Sequence, residues 1–204
     1  MFTGIVQGKA RVVKQQKREQ FMTLTLEFPA GCTDKLQTGA SIAINGTCLT
    51  VTAFGDNQVD FDLISETLRA TNLGTLEVGD EVNFERAASF GDEIGGHLIS
   101  GHISNTCEIS EIERSADNCI IWFEAPQELM RYILPKGFIG LNGCSLTIGE
   151  VIENRFNVYL IPETLGVTTF GDAVVGDKIN LEADPQTQAV VDTVERYMAS
   201  HHKS

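Results

Sequence analysis

The sequence predicts an all-β protein of two homologous six-stranded barrels in tandem, followed by one C-terminal helix. Three observations carry that expectation. The hexapeptide NGTCLT at 45–50 returns as NGCSLT at 142–147. Short runs of Val, Ile, Thr, Leu and Phe are cut by nineteen glycines against five prolines in 204 residues, the punctuation of a turn-rich β protein. The last segment drops this texture and takes up a helical period.

The repeat reaches far beyond one hexapeptide. A shift of 97 carries Gly4 to Gly101, Pro29 to Pro126 and Ile42 to Ile139 without a gap. It also carries Glu66-Thr67-Leu68 to Glu163-Thr164-Leu165, and VGDEVNFE at 78–85 to VGDKINLE at 175–182. One register held over some 85 positions marks two domains, 1–97 and 98–184, with an unrepeated tail at 185–204. A period this long is a domain duplication, not a solenoid.

In the first copy, extended segments are expected near 2–14, 21–28, 40–44, 48–54, 58–64 and 81–86. GDN at 55–57 supplies a turn, and VDFDLI at 59–64 alternates as a half-buried strand should. Six short antiparallel strands bury one face only by closing or nearly closing into a small barrel, which also removes exposed edges. In the tail, Ala189, Val190, Val194, Tyr197 and Met198 fall on one helical stripe. Asp184 is a good N-cap and Pro185 suits the first helical position. The stripe is expected to meet the same helix of neighbouring subunits, because a narrow seam suits helix pairing better than a barrel wall.

Composition excludes several function classes. A net charge of −13 opposes nucleic acid, which needs a basic face to displace its counterions, and opposes an anionic membrane. MFTGIVQG lacks the basic and apolar blocks of a secretory signal. No run approaches the roughly 18–20 apolar residues of a membrane span. The cysteines Cys32, Cys48, Cys107, Cys119 and Cys144 are odd in number and form no CxxC, so neither disulfides nor a zinc site are expected, and the thiols are placed, reduced, in the cytoplasm. His201 and His202 read as exposed residues at a frayed end.

Five stretches together are specific: MFTGIVQG at the start, NGTCLTV, GGHLISGH at 95–102, KGFIGLNGCSLT at 136–147 and DPQTQAVVDTVER at 184–196. The chain resembles the riboflavin synthase family along its whole length. The resemblance implies Greek-key barrels, a homotrimer, and no metal or cofactor. It implies dismutation of two molecules of 6,7-dimethyl-8-ribityllumazine to riboflavin and 5-amino-6-ribitylaminopyrimidinedione by transfer of a four-carbon unit. It further implies a site shared between adjacent subunits, two substrates per site, and association with lumazine synthase.

By the same resemblance the catalytic set is Cys48, His102, Ser145, Thr147, Asp184 and Phe2. Cys48 offers a thiol nucleophile or proton carrier, with a buried strand cysteine as the plain alternative. Ser145 and Thr147 offer hydroxyls. His102 stands where the first copy has Ile5, and an imidazole is the natural proton carrier near neutral pH; His97 is read as structural. Phe2 is expected on the substrate ring, and Asp184 at the site as well as at the helix cap. The first copy's binding set is Gly4, Ile5, Val6, Ser41, Leu49, Thr50, Asp62, Leu63, Ile64, Glu66 and Thr67. Gly101, Ile103, Lys136, Leu146, Leu160, Ile161, Glu163 and Thr164 complete it. Asn142 departs from the aspartate of some family members, although Asn45 in the first copy suggests that a turn former suffices. Two rivals remain. One is an antenna protein of the same superfamily that holds a lumazine or flavin without turnover. The other is an oxidoreductase's flavin barrel, which would need a GxGxxG nucleotide domain that this sequence lacks.

Overall fold

The computed structural model describes residues 1–115 and 118–201; His202 lies outside them. The first barrel comprises β1 (Gly8–Arg18), β2 (Phe21–Glu27), β3 (Ser41–Ile44), β4 (Thr47–Gly55), β5 (Gln58–Ile64) and β6 (Glu81–Arg86). The second comprises β7 (Asn105–Arg114), β8 (Cys119–Glu124), β9 (Phe138–Leu141), β10 (Cys144–Ile152), β11 (Arg155–Leu160) and β12 (Lys178–Ala183). Both sheets are antiparallel and closed. The first runs β1-β2-β5-β4-β3-β6 around its circumference, and the second repeats that cyclic order with β7 to β12. Even the bulges repeat: Val12/Lys14 is matched by Ile109/Glu111, and Val51/Ala53 by Ile148/Val151.

Closure follows from strand parity. In β4 and β5, Leu49, Val51, Val59, Phe61 and Leu63 turn inward and are 4% exposed or less, while Thr50, Asp62 and Ile64 face out. Each barrel therefore has its own apolar core, filled by Phe28, Phe61 and Phe84 in one and by Phe123, Phe156 and Phe170 in the other. Burying one such ring is worth about 1.5–3 kcal/mol.

The first strand differs from expectation. It begins at Gly8 rather than at residue 2 and runs on to Arg18. Residues 2–6 instead leave the barrel as an arm. Gly4, at φ +74, lies in the left-handed region, and the arm's hydrogen-bond partners belong to other elements, so it cannot continue the strand.

The repeated Asn-Gly is a turn and an interface at once. Asn45 and Asn142 adopt φ +43 and +44, with Gly46 and Gly143 at +79 and +80, the signature of a two-residue hairpin turn. The two turns meet back to back: a Cβ on Gly46 would lie 2.6 Å from the Gly143 amide nitrogen. Around them buried asparagines satisfy each other. Asn142 Oδ1 accepts from the Asn180 amide (2.9 Å) and from Asn72 Nδ2 (3.1 Å), and Asn45 Oδ1 accepts from the Asn83 amide (2.8 Å). Asn180 and Asn83 each reach across to the other barrel's turn, donating to the carbonyls of Asn45 and Asn142. Asn142 is thus fully used as a turn and interface residue, which explains why an amide serves there.

Two short helices, α1 (Ser65–Ala70) and α2 (Pro162–Val167), close equivalent barrel rims, and α3 (Pro185–His201) forms the tail. Asp184 caps α3. Its carboxylate accepts from the Thr187 amide (3.0 Å) and hydroxyl (2.7 Å). Arg131 and Tyr132 pin the helix through Glu195 and Asp192. Its apolar stripe is largely open to solvent: Val190, Val194, Tyr197 and Met198 are all 50% exposed or more.

Candidate functional site

Two crossed straps assemble the site. The arm at 2–6 and its repeat at 99–103 pair with each other, Phe2 and Ile99 exchanging amide–carbonyl bonds of 2.9 and 3.0 Å. Each strap is gripped by a buried carboxylate of its own repeat's last strand. Glu85 accepts from the Thr3 amide (2.6 Å), the Thr3 hydroxyl (2.8 Å) and the Gly4 amide (3.0 Å). Glu182 accepts from the Ser100 amide and hydroxyl (both 2.7 Å) and the Gly101 amide (3.0 Å). Burial pushes both carboxyls above the usual range, against the downward pull of these donors.

Each strap then lands on the opposite barrel. Gly4 O accepts from the Ser145 amide (2.8 Å) on β10, and Gly101 O accepts from the Cys48 amide (2.9 Å) on β4. The approach is close enough to require glycine twice over. Both glycines have positive φ, and a Cβ on either would lie 2.5 Å from the Cβ of Ser145 or Cys48. On one face Cys48, Thr50, Asp62 and Ile64 turn outward from β4 and β5, and the linker strap that bonds Cys48 through Gly101 continues into His102 and Ile103. On the other, Ser145 and Thr147 turn outward from β10, Ile161 follows β11, and the N-terminal strap that bonds Ser145 through Gly4 continues into Ile5.

His97, read as structural from its sequence, lies on the second face. Its Nδ1 and the Ser145 Oγ are hydrogen-bonded at 2.6 Å, and its ring stacks on Phe138 at 5.1 Å. Its Nε2 is buried and has no hydrogen-bond partner among the described residues. Burial lowers its pKa, and the nearby Asp184 carboxylate opposes that only in part, so the ring is neutral at pH 7 and able to accept the Ser145 proton. The Asp184 carboxyl itself is partly buried, which would raise it, but the Thr187 and Gln186 donors leave it below its ordinary value. The available signal in sequence was the Gly95-Gly96 pair: a Cβ on Gly96 would lie 2.6 Å from Ser145 Cβ, so GGH brings its backbone directly over the serine.

A depressed imidazole pKa has a definite sign. The folded chain binds the proton less readily than the unfolded chain, so this contribution to stability is present above about pH 6.5 and is lost as pH falls through the folded value. The melting-temperature advantage of wild type over His97→Gln is expected to shrink between pH 7.5 and pH 5. A difference that stays constant with pH would show that His97 is not the titrating group.

Several of the expected site residues have side chains turned away from the two faces. Leu49, Leu63, Leu146 and Leu160 turn into the barrel cores, 0–8% exposed, because they hold the inward parity between outward site residues. Only their backbones are available to a ligand. Phe2 is 1% exposed and packs with Ala43 and Ile99, so its ring is closed off from a substrate. Its contact with the site runs through Cys48, which packs against the same cluster. Val6 is likewise buried, in the second barrel's core.

The remaining residues lie on or around the two faces. Ser41 pairs with Thr50 across β3 and β4. Asp62 accepts from the Thr23 hydroxyl at 2.9 Å. Glu66 is held by Arg69 through two bonds of 2.9 and 2.5 Å, which lower its pKa. The repeat partner of Arg69 is Gly166, so the same device is missing beside Glu163. Thr67 and Thr164 follow these glutamates at the rims, and Lys136 is exposed at φ +68 just before β9. All five cysteines are free, and burial raises the thiols of Cys107, Cys119 and Cys144; of the half-buried pair Cys32 and Cys48, Cys48 lies on β4 at a face.

The comparisons with known proteins agree with the duplicated fold. A lumazine-binding domain model matches twice, over residues 3–87 and 100–184. Riboflavin synthase of Escherichia coli (strain K12) is 57% identical over 205 aligned residues, covering 100% of this chain and 96% of the relative. The chain belongs to the riboflavin synthase family. The riboflavin synthase of Buchnera aphidicola subsp. Schizaphis graminum is 49% identical, covering 96% of this chain and 95% of the relative. Among solved structures, LumP complexed with 6,7-dimethyl-8-(1'-D-ribityl) lumazine superposes with a TM-score of 0.82 at 27% identity, and LumP complexed with riboflavin with 0.84 at 29%. Each covers 90% of this chain and 99% of its own.

Proposed function

We propose that this chain is a riboflavin synthase that joins two molecules of 6,7-dimethyl-8-ribityllumazine and moves a four-carbon unit from one to the other, acting as a transferase. The observation that carries the reading is the pair of faces: one fold, one register and one strap-and-glutamate device, repeated with different chemistry at Cys48/Ser145 and Ile5/His102. Two copies of one substrate need two similar pockets, and their different fates as donor and acceptor need pockets that differ.

Chemistry divides between the faces. On the first, His102 moves protons to and from the acidic 7-methyl carbon of the bound lumazine, and the Cys48 thiol stands beside it as nucleophile or proton carrier. On the second, neutral His97 takes the Ser145 proton, so that the hydroxyl or a water it holds adds to the ring of the other lumazine. Thr147 orients that ring edge, and Asp184, through its charge, steadies the imidazolium that forms. Much of the rate comes from holding two rings face to face in a dry pocket, a contribution of about 7–11 kcal/mol in favourable cases. The exposed stripe of α3 assembles a homotrimer, in which the first face of one subunit meets the second face of the next. The chain works in the cytoplasm and associates with lumazine synthase. No helix among the described residues is long and apolar enough to cross a membrane.

A shared site makes a sharp demand on mixed oligomers. His102→Ala damages only the first face and Ser145→Ala only the second. Refolding the two inactive variants together is expected to restore a measurable fraction of activity, because some interfaces then pair two intact faces. No recovery, with mixed oligomers demonstrably formed, would place both faces of each site in one chain.

A further inference from the structure

The two faces agree in backbone and differ in their flanks. On the first barrel Ser41 is the cross-strand partner of Thr50, and the register pairing Val51 with Phe61 places Asp62 on the other side of Thr50. On the second barrel Phe138 is the partner of Thr147, and the register pairing Ile148 with Val158 places Tyr159 on its other side. The shift of 97 thus turns Ser-Thr-Asp into Phe-Thr-Tyr across three strands. Phe138 and Tyr159 are 47% and 50% exposed. Both hold the outward parity, so neither is needed by the barrel core.

Each aromatic ring is also steadied. The His97 ring lies against Phe138 with an interplanar angle of 15°. Tyr159 lies over Gly149, where a Cβ would come within 2.6 Å of Tyr159 Cε2. The repeat equivalent of Gly149 is Thr52, whose side chain would fill that space. An aromatic over a strand glycine also has a purely structural use, covering exposed backbone. The deciding readout is therefore ligand binding and not stability. The flanks stand two strand spacings apart, roughly 9.6 Å, with the Thr147 side chain between them, which leaves room for one flat ring.

We infer that Phe138 and Tyr159 are specificity-determining residues that hold one lumazine ring by stacking on the second face, where the first face has the Ser41 and Asp62 that the family resemblance already implies for binding. An electron-poor heterocycle stacks well on a phenol ring. A carboxylate and a hydroxyl at the same register accept and donate to the polyol and ring polar atoms. The inference rests on the proposed function, since it takes the lumazine as the ligand of both faces.

Equilibrium titration of the full chain with a 6-methyl-8-ribityllumazine analogue that lacks the 7-methyl group and so cannot turn over, followed by ligand fluorescence, tests it. Wild type is expected to show two classes of site. Tyr159→Asp, which writes the first face's residue into the second, should weaken one class about tenfold or more and leave the other alone. Tyr159→Phe should bind as wild type does. Tyr159→Leu gives the same test should a carboxylate there disturb folding. If both Tyr159→Asp and Tyr159→Leu fold and bind the analogue as wild type does, the inference is overturned while the function stands. A wild-type chain that neither binds the analogue nor forms riboflavin from the lumazine would instead remove the functional reading itself.

Discussion

Deleting residues 186–204 is expected to leave folded monomers with activity reduced by about 100-fold or more. The expectation combines two observations. Both barrels carry complete cores of their own, so the deletion removes no buried apolar side chain from them. The lost helix carries Val190, Val194, Tyr197 and Met198 on a face that the single chain leaves in water, which is the surface an oligomer would use. The helix also loses its anchorage at Arg131 and Tyr132, contacts near the surface worth only about 0.2–1 kcal/mol each. The thermal midpoint should therefore move little once dilution effects on the proposed trimer are allowed for. Analytical ultracentrifugation and riboflavin formation check both halves, and a fully active monomer would contradict a site completed by a neighbour.

Gly101→Ala should be the most damaging single substitution of a residue without functional atoms in its side chain. At φ +82 an alanine is strained by about 1–3 kcal/mol, and its methyl must also push the strap away from Cys48. Displacing His102 from Cys48 by about 1 Å would lower turnover on the order of 100-fold. Gly176→Ala separates the two effects. Its φ is +96, yet nothing lies within 4 Å of the added methyl, so it reports backbone strain alone. The expected pattern is a loss of thermal stability in both variants, larger in Gly101→Ala because its methyl also meets Cys48, and a large loss of turnover only in Gly101→Ala. Equal turnover in the two would mean that the strap's position over Cys48 is unimportant.

Much of this architecture was legible in the sequence, and for identifiable reasons. The 97-residue register, the alternation of VDFDLI and the Asp184-Pro185 start of α3 are local or periodic signals, and strands and helices answer directly to such signals. Strand parity was equally available: a strand that turns Cys48 and Thr50 outward must turn Leu49 inward, and the same holds for Leu63, Leu146 and Leu160. The straps were not legible. Residues 2–6 read as the start of a strand, and what lifts them out is Glu85, some 82 positions away. The meeting of His97 with Ser145 spans 48 positions and depends on the same crossing. Composition and period carry no record of contacts made only after two barrels have formed.

The central claim is turnover of one substrate into two different products on two unlike faces. The most direct measurement incubates the purified chain with 6,7-dimethyl-8-ribityllumazine alone and quantifies every pteridine and pyrimidine species over time. The account predicts one riboflavin and one 5-amino-6-ribitylaminopyrimidinedione for every two lumazines consumed. A stable fluorescent complex in which the lumazine persists and no riboflavin forms would contradict it.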